Sequence, residues 1–209
     1  MQYKYITIEG NIGAGKTTLS HLLQETFNAK LVLEQFADNP FLPKFYQDRQ
    51  KYSFPLELSF LADRYKQLKE MLSNRDLFSE YIIADYLFIK SKLFAKVNLP
   101  EDEYKLYETL FDIIYPSLPQ PDLVIFLDAP LQKLKLNIKL RNRDYEQQIE
   151  DQYLREIQES YLQYIKSDTQ RTLIIDTSQT DFLNNPLQFQ QLLNYLQNDY
   201  SFGRHYLHF

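Results

Sequence analysis

The 209-residue chain is 44% hydrophobic and 24% charged, carries a formal charge of -5 and contains no cysteine. That length suits one domain with its own core, and the missing cysteine excludes disulfides, thiolate metal sites and a cysteine nucleophile. The acidic balance speaks against a nucleic-acid polymer as partner, because such affinity comes mainly from cations that neutralise phosphates.

No apolar run approaches the roughly 18 to 20 residues of a membrane span. The first residues enter a strand-like segment rather than the apolar region of a signal peptide, so no membrane partner and a cytoplasmic location are expected.

In chain order, a short apolar strand is predicted over 3 to 8, a helix over 16 to 27 and a strand over 30 to 34. Helices at 41 to 48 and 55 to 74 lead to a strand at 76 to 83, then helices at 85 to 96 and 101 to 117. A strand at 122 to 128, helices at 130 to 140 and 149 to 167, a strand at 172 to 176 and a helix at 186 to 198 follow. Buried strands alternating with helical segments predict an α/β fold with a parallel sheet and crossover helices. Pro55, Pro100, Pro130 and Pro186 each sit near a proposed helix start, where a missing N–H costs little. With no repeat, linker or low-complexity tract, residues 1 to 209 form a single domain, and the aromatic tail "NDYSFGRHYLHF" is expected to pack on its body.

Three of the four glycines fall in "EGNIGAGKTT". Gly10, Asn11, Ile12, Gly13, Ala14, Gly15, Lys16 and Thr17 match G-x-x-x-x-G-K-[ST] between a predicted strand and a predicted helix, with Thr18 next. Glycines let successive backbone N–H groups turn toward phosphate oxygens, and the helix start adds its positive dipole end. Lys16 can reach the β- and γ-phosphates, and the Thr17 hydroxyl can ligate Mg²⁺. GTPases, ATPases and small-molecule kinases all carry such a loop, so the loop predicts a nucleoside triphosphate and not a reaction. The guanine-reading N-K-x-D stretch of GTPases is absent.

Glu34 closes the second predicted strand, at the end of the sheet where ligands of open parallel sheets bind. A carboxylate there, across from the phosphate loop, can take a proton from an attacking hydroxyl. A structural ion pair with an arginine is the other use of a carboxylate at that position.

Beyond the loop, the stretches "LEQFADNPFLPKFYQD", "YSFPLELSFLADRY", the aspartate of "IIADYLF" and "RNRDYEQ" resemble the deoxynucleoside kinase family, especially bacterial deoxyadenosine and deoxyguanosine kinases, over nearly the whole chain. The resemblance implies a P-loop kinase fold, with a five-stranded parallel sheet flanked by helices, and a homodimer. It also implies transfer of the ATP γ-phosphate, with Mg²⁺, to a deoxynucleoside 5′-OH. By the same resemblance Glu34 is the general base, Tyr46 and Glu146 hold the sugar 3′-OH, and Arg64 contacts the base and helps hold the catalytic carboxylate. Glu57, seven residues before Arg64 on the same helix face, and Asp85 lie near the base. Residues 137 to 147 form a mobile lid whose Arg141 and Arg143 close over the transferring phosphoryl group.

Several positions depart from the family pattern. Many relatives have glutamine at Glu57; an ionised glutamate only accepts hydrogen bonds, which favours an amino group and predicts deoxyadenosine first, deoxyguanosine second, with deoxycytidine possible and thymidine disfavoured. Family members end the third strand with an acidic residue followed by arginine. Here the stretch reads Ser79-Glu80-Tyr81, which leaves Glu80 to serve the metal through water; the missing cation comes from elsewhere, with Lys139 a candidate, or is dispensed with. Asn137 stands where many relatives carry a further lid arginine. Two other readings share the loop: a thymidylate-kinase-like enzyme acting on a monophosphate, and a nucleotide-binding module without catalysis.

Overall fold

The computed structural model describes residues 2–35, 39–73, 80–167 and 169–209. Among these residues six parallel strands form one sheet: β1 (Tyr5–Gly10), β2 (Lys30–Val32), β3 (Ile82–Ala84), β4 (Leu123–Asp128), β5 (Arg171–Asp176) and β6 (Gly203–Leu207). Their spatial order is β2-β3-β1-β4-β5-β6. Among the described residues, eight α-helices cover the faces: α1 (Lys16–Phe27), α2 (Leu42–Gln47), α3 (Arg49–Ser73), α4 (Lys90–Asn98), α5 (Glu101–Ile114), α6 (Leu131–Arg141), α7 (Asp151–Ser167) and α8 (Pro186–Tyr195). No helix among the described residues is long and apolar enough to cross a membrane.

Residue alternation along the strands divides the core into two layers. Ile6, Ile8, Leu123, Ile125, Leu127, Leu173 and Ile175 pack on one side with Leu19 and Leu23 of α1 and Leu192 of α8. Tyr5, Val124, Phe126 and Ile174 point to the other side, toward Phe45, Leu56, Phe60, Phe111, Tyr153 and Tyr161 from α2, α3, α5 and α7. With both faces covered, only the strand ends remain open to a ligand. Strand order reverses around β1, which lies between β3 and β4, so the crevice beyond its carboxyl end is the place where such sheets bind ligands.

Several expected boundaries move. The aromatic tail supplies β6, paired with β5 through contacts such as Ile174 opposite Tyr206. Its signal was weak because this edge strand buries little beyond Leu207, at 7% exposure, while Tyr206 is 64% exposed. Pro100 and Pro130 precede α5 and α6, and Pro186 opens α8, whose first turn is capped by the Asn185 side chain accepting from Gln188 N–H. Pro55 instead lies inside α3. The helix starts earlier because Asp48 caps it, its Oδ1 accepting from Lys51 N–H at 3.1 Å; the carbonyl that Pro55 leaves without a helical donor belongs to the solvent-exposed Lys51.

The third strand is the most consequential correction. It runs over Ile82–Ala84, and of the expected 76 to 83 span, residues 76 to 79 lie outside the described residues. The acidic residue after its carboxyl end is Asp85, followed by Tyr86. Glu80 precedes the strand, exposed at the amino end of the sheet, opposite the phosphate loop. The helix expected from residue 85 begins at Lys90, because residues 85 to 89 are drawn into the site: Leu87 N–H donates to Glu9 Oε1 at 2.8 Å.

Candidate active site

The phosphate loop is the turn between β1 and α1. Gly10, Gly13 and Gly15 have φ of 149°, 82° and 92°, conformations that side chains with a Cβ adopt at a cost. At Gly13 a Cβ would also lie 2.7 Å from the Leu134 carbonyl oxygen of α6. No side chain caps α1, so its first N–H groups remain for an anion. The Asn11 side chain faces the protein, with Nδ2 donating to Leu154 O at 2.7 Å and Oδ1 accepting from Ile12 N–H. Lys16 Nζ donates to the Gly10 and Asn11 carbonyls, both at 2.9 Å, folding the ammonium over its own loop. Burial, reinforced by the nearby Lys90 ammonium, lowers Lys16 to about 8, and triphosphate oxygens would favour its charged form again.

Asp85 ties this loop to the second strand. Its Oδ2 accepts from Thr17 Oγ1 and its Oδ1 from Glu34 N–H, each at 2.7 Å. Asp85 therefore stands at the phosphate end of the cavity and not beside Glu57 at the far end. Glu9, the penultimate residue of β1, completes the frame: its carboxyl accepts from Gly10 N–H, Leu87 N–H and Tyr161 O–H. Burial raises its pKa.

Glu34 sits between two cations. Oε1 accepts from Arg64 Nε at 2.9 Å and from its Nη2, and Oε2 from Lys90 Nζ at 2.5 Å. Burial opposes ionisation of this carboxyl, but Lys90 and Arg64 together outweigh it and hold Glu34 well below the usual carboxylate range. Arg64 is locked in turn by Nη1 donating to Ser91 Oγ at 2.7 Å. Lys90, not Lys139, is thus the buried cation beside the site; it reaches Glu34 from the first residue of α4, and Lys139 is exposed on α6.

The cavity runs from Lys16 and Thr17, past Glu34 and Lys90, to an end lined by Phe45, Phe60 and Glu57. Tyr46 and Glu146 line it from the side. Tyr46 stacks on Tyr145, their rings 6.0 Å apart, and burial raises its phenol well above the ordinary value. Glu146 is buried and gathers both arginines of the expected lid, accepting from Arg141 Nε at 2.9 Å and Arg143 Nη1 at 3.2 Å. Asn137 Nδ2 donates to Gly13 O at 2.7 Å, fastening α6 to the phosphate loop.

A family model for deoxynucleoside kinases matches residues 6–200. The chain belongs to the deoxynucleoside kinase family. It is 34% identical to deoxyguanosine kinase of Bacillus subtilis over 193 residues, which covers 90% of this chain and 93% of that protein. With deoxyadenosine/deoxycytidine kinase of the same organism the identity is 32%, over 71% of this chain and 70% of the relative. The solved structure of deoxyadenosine kinase from M. mycoides with bound dATP superposes with a TM-score of 0.80 at 25% identity, covering 93% of this chain and all of that one (100%).

Of the positions anticipated in this deoxynucleoside kinase, the fold brings Lys16, Thr17, Glu34, Tyr46, Glu57, Arg64, Asp85, Arg141, Arg143 and Glu146 to one cavity. Glu80 is separated from it by the length of β3. Lys90, Asn98 and Glu9 went unmarked: each is a single polar residue in an otherwise unremarkable helix or strand, and only burial in the fold gives it meaning. The one available signal was Asp85-Tyr86 in "IIADYLF", whose acid follows an apolar pair as the family's third-strand acid does.

Proposed function

We propose that this deoxynucleoside kinase transfers the γ-phosphoryl group of ATP to the 5′-hydroxyl of a purine deoxynucleoside. The observation that carries this reading is the single hydrogen-bonded unit of Thr17, Asp85 and Glu34, which sets a phosphate-loop hydroxyl and an ionised carboxylate on one rigid frame. Glu34 accepts the hydroxyl proton, and its depressed pKa suits a loose phosphoryl transfer, in which the proton leaves late and a strong base is not required. Lys16 and the loop N–H groups hold the triphosphate, and Arg141 and Arg143 neutralise the transferring group. Tyr46 and Glu146 receive the sugar 3′-OH, and Arg64 and Glu57 border the base. Lys90 takes the place of the arginine that family members carry after the third strand, where Tyr86 stands here.

Thr17 and Asp85 offer hard oxygen donors of the kind Mg²⁺ prefers, with phosphate and water oxygens to complete the shell. The ion, when bound, supplies charge neutralisation at the phosphates. The metal role expected for Glu80 passes to Asp85.

Steady-state rates with ATP and Mg²⁺ for the four natural deoxynucleosides, and for their monophosphates, test the proposal. We expect deoxyadenosine and deoxyguanosine to exceed thymidine by at least about tenfold in kcat/KM, because one missing or misplaced polar contact in a buried pocket costs about that much or more. Thymidine turned over faster than both purines, or monophosphates preferred as acceptors, would refute it.

We also propose a homodimer built on α5. Leu106, Leu110 and Ile113 are 55%, 37% and 73% exposed and lie one or two turns apart on one stripe. Sedimentation is expected to give two chains per particle, and Ile113→Asp to give one; a monomeric wild-type protein would remove this assignment.

A further inference from the structure

Glu57 lines the cavity and has one carboxyl oxygen without a hydrogen-bond partner. Its Oε1 accepts from Asn98 Nδ2 at 2.7 Å, whereas Oε2 is buried and makes no hydrogen bond. The residue is 1% exposed and lines the far end of the cavity. Asn98 is itself immobilised, since Nδ2 also donates to Tyr153 Oη at 3.1 Å and Oδ1 accepts from Arg49 at 3.3 Å. Glu57 therefore cannot turn both oxygens to a base. Oε1 is committed, and Oε2 is the single atom left to read it.

Resting on the kinase reading above, we propose that Glu57 selects the purine through its own proton. Neutral, it donates from Oε2 to the O6 of guanine; ionised, it accepts at Oε2 from the N6 amino group of adenine. The six-position is where the two purines differ in kind, an acceptor in guanine and a donor in adenine, and a carboxyl group changes from donor to acceptor when it loses its proton. The exchanged proton comes from and returns to solvent.

The groups around Glu57 place this change near neutrality. Arg64 faces it from α3, Glu34 from the chain after β2, Lys90 and Asn98 from α4, Tyr107 from α5 and Tyr153 from α7. Burial dominates and raises Glu57 to about 7; Asn98, Arg64 and Lys90 oppose it, and Glu34 adds to it. Both forms are then populated under ordinary conditions. This revises the expectation that Glu57 can only accept. It would also let one position serve either purine. A glutamine held by Asn98 in the same way would turn its NH₂ to the base at every pH.

The test is kcat/KM for deoxyguanosine and deoxyadenosine from about pH 6 to about pH 8.5, with ATP and Mg²⁺, for wild type and Glu57→Gln. We expect kcat/KM for deoxyguanosine to fall about 30-fold and that for deoxyadenosine to rise about tenfold across this range in the wild type, each following one titration centred near 7, so that their ratio falls about 300-fold. In E57Q it should stay flat and favour deoxyguanosine. Calorimetry in buffers of different ionisation enthalpy adds a readout independent of turnover: deoxyguanosine binding at about pH 8 should take up close to one proton in the wild type and none in E57Q. A wild-type ratio independent of pH with good turnover, or an E57Q ratio that keeps the slope, overturns the selector while leaving the kinase reading intact. Failure to phosphorylate either purine at any pH overturns both.

Discussion

Replacing Glu34 by glutamine is expected to lower kcat by about 10² to 10⁴ while ATP binding stays near its wild-type strength. The substitution leaves Lys16, Thr17 and the loop untouched and removes the carboxylate that the frame of Asp85 and Arg64 holds in the cavity. It has a second consequence. Arg64 and Lys90 are 4% and 7% exposed at the side chain and both close on Glu34, so the neutral amide leaves buried cations without their counter-charge. Breaking a buried pair from one side costs about 3–5 kcal/mol. Thermal denaturation must therefore accompany the kinetics. The pair Glu34→Gln with Lys90→Met removes one cation as well and should recover part of the stability with none of the turnover.

The pH behaviour of the wild type follows from the same contacts. Because the Glu34 carboxyl is depressed in the folded protein, its ion pairs contribute stability fully above the unfolded glutamate value of about 4.3. That contribution is lost as pH falls through the lower folded value. Unchanged kcat in Glu34→Gln would move the base role to another group.

The second large effect concerns the lid. Arg141→Gln is expected to reduce the single-turnover rate of phosphoryl transfer by about 10³, the lower range for a guanidinium that neutralises a transferring phosphoryl group. Arg141→Lys should recover only part of it, since an ammonium cannot reproduce the two-pronged contact that Arg141 Nε and Nη2 make with Glu146 Oε2. Glu146 holds Arg141 and Arg143 at once, which orients both before any phosphate arrives and limits the ordering left to the reaction. Rapid-quench kinetics separates transfer from product release. A normal single-turnover rate in Arg141→Gln would show that the lid acts on release and not on chemistry.

How much of this site could be read in the chain depends on how local its parts are. The loop from Gly10 to Thr17 was fully legible because its chemistry needs consecutive residues: three glycines at positive φ, then the lysine and threonine that open a helix. The alternation of Ile6 and Ile8, or of Leu123, Ile125 and Leu127, marked buried strands for the same local reason. Asp85 was legible as a residue and misplaced as a role, since the three-residue strand Ile82–Ala84 sits among other apolar positions and its end could be set several residues early. That shift gave Glu80 a metal role at the wrong end of the sheet.

Residue order and spacing therefore determined the α/β class, the glycine loop, the candidate base Glu34 and the candidate lid arginines, because each is a pattern within one short segment. Tertiary structure alone decided that Lys90 pairs with Glu34, that Asp85 joins Thr17 to the second strand, that the tail becomes β6, and that Asn98 leaves Glu57 one readable oxygen. These depend on distances between segments far apart in the chain and on the removal of water around them. Burial and charge partners, which set both hydrogen bonding and protonation, exist only once the segments have packed.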